Sequence, residues 1–116
     1  MSVQRIKPGA RMSQAVIHGE TVYLAGLVAD DKSQDVKGQT AQILAAIDAL
    51  LALAGTDKSK VLSANIWLTD IGTWSQMNEV WDAWVSPGNT PARATVEAKL
   101  AAAGASVEIM VQAARA

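Results

Sequence analysis

The sequence predicts an α+β protein, a mixed β-sheet with two helices packed on one face, and three observations carry that prediction. Short β-prone runs sit at both ends of the chain, two longer stretches repeat their apolar residues at helical spacing, and turn-forming clusters separate them. The order reads strand, hairpin, helix, strand, helix, strand, strand. All 116 residues, 1–116, fit one domain, with enough length to bury a core without cross-links.

The first strand is Val3 to Lys7, closed by Pro8 and Gly9, which suit an edge. Gln14 to His18 and Thr21 to Leu27 flank a turn at Gly19 and form a hairpin, with Gly26 inside the second arm. Ala29 to Lys37 is a polar loop. The first helix places Val36, Ile43, Leu44, Ile47, Leu50, Leu51 and Ala54 on one face and stops at Gly55, leaving Gln39, Gln42 and Asp48 toward solvent. After Lys58 to Lys60, the strand Val61 to Leu68 alternates Leu62, Ala64, Ile66 and Leu68 against Val61, Ser63, Asn65 and Trp67. Thr73 and Gln76 match a capping box opening a second helix with Met77, Val80, Trp81 and Trp84 on its core stripe. Pro87 and Gly88 end it. Two strands follow, Ala92 to Ala98 and Ser106 to Ala113, the latter with Val107, Ile109, Val111 and Ala113 on its apolar face.

Two helices cover one sheet face only, so the other exposes large apolar side chains and predicts association of several copies, with clefts between them. A composition of 50% apolar and 18% charged residues with a net charge of -1 gives no general attraction to nucleic acid or anionic membrane. No cysteine is present, which removes disulfides and thiolate chemistry and fits a reducing compartment. His18 is the lone histidine and stands without an acidic cluster, so no metal is expected. No apolar run approaches the roughly 20 residues of a membrane span, and the N-terminus lacks a signal peptide's apolar stretch, so the expected location is cytoplasmic.

The chemistry-bearing candidates are Arg93 and Glu108. A guanidinium suits a carboxylate bidentately, and a carboxylate can orient or deprotonate a water. Taken alone, the two are more simply a cross-strand ion pair. Their context changes the weighting. Arg11 to Gly26 (RMSQAVIHGETVYLAG), Leu50 to Ile71 (LLALAGTDKSKVLSANIWLTDI), Pro91 to Glu97 (PARATVE) and Ser106 to Ile109 (SVEI) resemble the Rid/YjgF family in order and spacing.

That resemblance implies a chorismate-mutase-like subunit, a homotrimer with three clefts between neighbouring subunits, and a cofactor-free deaminase. Such an enzyme hydrolyses enamine or imine intermediates, such as 2-aminoacrylate, to a 2-keto acid and ammonia. Carried over by position, Arg93 holds the substrate carboxylate, Glu108 positions the attacking water, and Gly26 lines the cleft with backbone. Met12 stands where characterised deaminases usually have tyrosine, and Thr95 where they have cysteine; both are counted as substrate-binding positions. These two departures keep an alternative open, a non-catalytic trimeric module that binds small 2-keto acids or related carboxylates. Ribonuclease activity, also associated with some relatives, is disfavoured by the acidic balance.

Overall fold

The computed structural model describes residues 1–115. Its strands are β1 (Val3–Pro8), β2 (Ser13–His18), β3 (Thr21–Leu24), β4 (Val61–Leu68), β5 (Ala92–Glu97) and β6 (Val107–Ala114). Helices α1 (Val36–Leu53) and α2 (Trp74–Trp84) complete it. The sheet order is β1-β2-β3-β6-β4-β5, antiparallel throughout except for the parallel pair β4 and β5 joined through α2. The last strand is therefore inserted in the middle of the sheet, and β5 is left at an edge.

Local chemistry explains the elements. Gly19 adopts φ +60 at the first central position of a two-residue turn, the place where a β-carbon is least tolerated in this hairpin class, and His18 pairs with Thr21 across it. The Asp35 carboxylate accepts from Gly38 N at 2.9 Å and caps α1. At the far end Thr56 N donates to Leu51 O at 2.9 Å and Gly55 N to Ala52 O at 3.1 Å, with Gly55 at φ +80, a Schellman ending. Edge strand β1 runs through Pro8 rather than stopping before it, with Lys7 at φ 49 as a local kink.

Both helices lie on one face of the sheet. Ile43, Ile47 and Leu51 of α1 and Met77 and Trp81 of α2 share one buried cluster with Ala15, Ile17, Val22, Leu24, Ala64, Ile66, Val107, Ile109 and Val111 from the strands. Helix α1 is long and apolar enough to cross a membrane by length and composition, but its apolar stripe is spent on this sheet. The described chain measures 42 × 37 × 20 Å, a plate one helix and one sheet thick.

Four sequence expectations need correction. Gln39 is not toward solvent: it is 1% exposed, accepts from Ser106 N at 2.8 Å and donates to Gln34 O at 3.0 Å, tying the start of α1 to the start of β6. On β4 a register shift between Val61 and Ser63 turns Val61 inward and leaves Leu62 53% exposed, so the alternation holds only from Ser63 onward. The proposed capping box is absent as well. Asp70 accepts from Gly72 N at 2.8 Å and opens a short 3-10 turn, while Thr73 donates to Asp70 O instead of capping α2. The Thr21–Leu27 arm is also shorter than expected, since β3 ends at Leu24 and leaves Gly26 outside it.

Candidate functional site

Strand register places the two candidate charges. Arg93 pairs with Ala64, which pairs with the buried Val111, so Arg93 projects toward the helices from the free edge of the sheet. Glu108 pairs with Trp67, which pairs with the exposed Val96, so Glu108 projects from the open face. One strand separates them, and their Cα atoms are about 14 Å apart from ordinary strand spacing and rise. Within one chain they are not on neighbouring strands and form no ion pair, so the simpler cross-strand account is excluded. Lys37 Nζ–Glu79 Oε2, at 2.7 Å, is the only ion pair among the described residues.

The open-face group consists of Glu108, Gly26 and Met12. Leu27 N donates to Ile109 O at 2.9 Å and Ile109 N returns a bond to Leu27 O at 3.1 Å, which pins the segment after β3 against β6. Gly26 is thereby held beside the Glu108 side chain: a β-carbon at Gly26 would overlap Glu108 Oε2 and come within 3.2 Å of Cδ. No other residue type fits there with the carboxylate where it is. Met12 immediately precedes β2 at the same end of the sheet and is 50% exposed. A depression of about 460 Å³ at Gly26 opens on the helix side instead, between Gln14, Asp30 and the α1 residues Gln42, Ala46 and Leu50, and its lining includes neither Glu108 nor Arg93.

Gly26→Ala gives a selective test of this contact. The clash is with the movable end of a side chain, and Gly26 has no left-handed backbone to strain, so stability should change by no more than about 0.5 kcal/mol. Displacing the carboxylate by an ångström should lower kcat about 100-fold in any reaction that uses it. Thermal melting and steady-state kinetics on the same preparation separate the two effects.

The edge group consists of Arg93, Thr95 and a residue sequence reasoning missed, Asn78. Thr95 pairs with Ile66 and shares the helix-facing side with Arg93, two residues away. Its Oγ1 is buried with no hydrogen-bond partner, and so is Asn78 Oδ1 on α2. Buried polar atoms left without a partner are costly unless something else satisfies them. The available signal was a polar residue three positions before Trp81 within an otherwise apolar stripe. The Arg93 guanidinium lies over the Trp81 ring, with Cζ 5.3 Å from its centroid. Partial burial pulls its pKa down and the nearby Asp82 carboxylate partly offsets this, while arginine remains protonated at ordinary pH.

Residues 2–115 match the family model described as Endoribonuclease L-PSP. A RutC family protein from Haemophilus influenzae is 45% identical over 112 residues, covering 96% of this chain and 97% of its own. RutC family protein YoaB from Escherichia coli K12 is 44% identical over 114 residues, 98% of this chain and 99% of its own. The crystal structure of a YjgF family member from Neisseria meningitidis superposes with a TM-score of 0.97 at 43% identity, covering 100% of this chain and 97% of the other.

Proposed function

Because this chain belongs to the YjgF/RutC family, whose model bears the description Endoribonuclease L-PSP, we propose that it hydrolyses a carboxylate-bearing imine or enamine to a 2-keto acid and ammonia. The observation that carries the reading is the pair of unspent charges: among the described residues, an arginine with no carboxylate partner at the sheet edge and a glutamate with no cation on the open face. A second copy of the chain has to bring one group to the other. The uncovered face of a plate 20 Å thick, with Tyr23 and Val96 each more than 40% exposed on it, supports that association, and the family resemblance supplies the number three.

The chemistry then needs no cofactor. Arg93 takes the substrate carboxylate through two parallel N–H donors, fixing the imine carbon in the cleft. Glu108 accepts a proton from water as the oxygen attacks that carbon, forming a carbinolamine. That proton passes to nitrogen to complete the carbinolamine; its hydroxyl then gives its own proton to Glu108, which hands it to nitrogen as the C–N bond breaks, so that the C=O forms and ammonia leaves the 2-keto acid. An enamine substrate first takes a proton at its terminal carbon and gives one up from nitrogen to become the imine. Asn78 and Thr95 supply polar atoms on the anchor side. The net charge of -1 favours a small anion at a local cation over a polynucleotide.

The test is release of keto acid from 2-aminoacrylate generated in situ, followed against buffer. Acceleration supports hydrolysis. No acceleration with this or other 2-imino acids, together with calorimetric binding of pyruvate, replaces the reading with a carboxylate-binding module.

A further inference from the structure

We infer that Trp81 is a positioning residue for Arg93, its indole face holding the guanidinium while leaving the N–H donors free for an anion. This rests on the reading of Arg93 as a carboxylate anchor. An arginine in a binding site has to be oriented, and the usual orienting partner is a carboxylate, which occupies two donors and cancels the charge. Here no carboxylate lies within ion-pair distance of Arg93 among the described residues, and Trp81 occupies that role at 5.3 Å from ring centroid to Cζ.

The platform is itself anchored. Trp81 is 5% exposed and packed in the core. Trp84 leans on it at 5.2 Å between centroids and 52° between planes. Trp84 Nε1 donates to both carboxylate oxygens of Asp48 on α1 at 3.1 Å, and Lys58 Nζ sits 5.5 Å from the Trp84 ring centroid. Thus a line of contacts runs from Asp48 through two tilted, touching indoles to the guanidinium. Asp82, adjacent in sequence to Trp81, draws Arg93 toward the same helix without bridging to it.

Simple core packing is the competing role, and it makes different predictions. Trp81→Phe keeps a ring face and Trp81→Met fills similar space without one. Three readouts apply to each: melting temperature, pyruvate affinity by calorimetry, and the Arg93 Nε–H resonance in the ligand-free protein. A stacked guanidinium gives an upfield-shifted Nε–H in the parent, retained in W81F and lost in W81M. Affinity should stay within about 3-fold in W81F and weaken about 5- to 30-fold in folded W81M, the span of a cation–π contact.

Folded W81M that binds pyruvate as the parent does, while Arg93→Ala has lost it, overturns the inference and leaves the anchor reading intact. If the parent binds no 2-keto acid at all, the anchor reading falls. The resonance then decides the stack by itself: a shift removed in W81M supports it, and an unshifted parent resonance sinks it. Should W81M not fold, Asp48→Ala, at an exposed position, releases Trp84 and carries a weaker version of the same expectation, about 2-fold in affinity with a reduced shift. No change in either measurement counts against the inference.

Discussion

Arg93→Ala is expected to lower kcat/KM for a carboxylate-bearing imine by about 2–4 kcal/mol, roughly 30- to 1,000-fold. The range is that of removing one partner from a charge-assisted contact in a partly desolvated site. Most of the loss should appear in KM, because the carboxylate is bound equally in ground and transition states. Among the described residues Arg93 has no ion pair to break, and it is only half-buried at an edge, so the fold should survive the change. Arg93→Lys retains the charge without the planar fork and should fall between, about 10-fold down. Kinetics unchanged in Arg93→Ala would remove the anchor from the mechanism.

The second large effect is expected at Glu108. Glu108→Gln keeps the shape that Gly26 accommodates but cannot accept the proton, so kcat should fall about 100- to 10,000-fold with KM little altered. Arg93 and Glu108 project from opposite faces of one sheet, which makes their defects separable. In a site shared by two copies, mixing Arg93→Ala chains with Glu108→Gln chains recreates intact sites. Random assembly of equal amounts gives half times half, about a quarter of parental activity. Co-refolding the two inactive proteins and assaying the mixture measures this directly. Activity no greater than that of either variant alone excludes a shared site, and a Glu108→Gln protein with parental kcat excludes Glu108 as the proton acceptor.

Much of the plate was legible because its forces are local and periodic. Val107, Ile109, Val111 and Ala113 alternate as written and are all buried, and the α1 stripe lies on the sheet as its spacing dictates. Failures occurred where a distant partner decides. Gln39 is buried because Ser106, 67 positions away, satisfies its carboxamide, and no local pattern signals that. The register shift at Val61 and Ser63 depends on pairing with β6 and breaks a period that otherwise holds.

The site shows the same division. Residue chemistry and the family resemblance make Arg93 and Glu108 candidates, but neither gives the faces they occupy. Those follow from β6 entering between β3 and β4, a topological fact that a linear reading passes over. Asn78 was missed because a polar residue in an apolar helical stripe is usually at its margin. Only the burial of its oxygen without a partner singles it out.

The two edges of the sheet differ in what they permit. At β1, the Lys7 kink and the missing N–H of Pro8 spoil the template for another strand. At β5, Ala92–Glu97 contains no proline and runs without a kink. A chain with one blunted border and one receptive border cannot propagate as a ribbon, β5 onto the next β1, since every such step meets the spoiled end. Edge-to-edge growth of the uncovered sheet into an unlimited ribbon is thereby disfavoured by the chain's own border, whatever its faces meet.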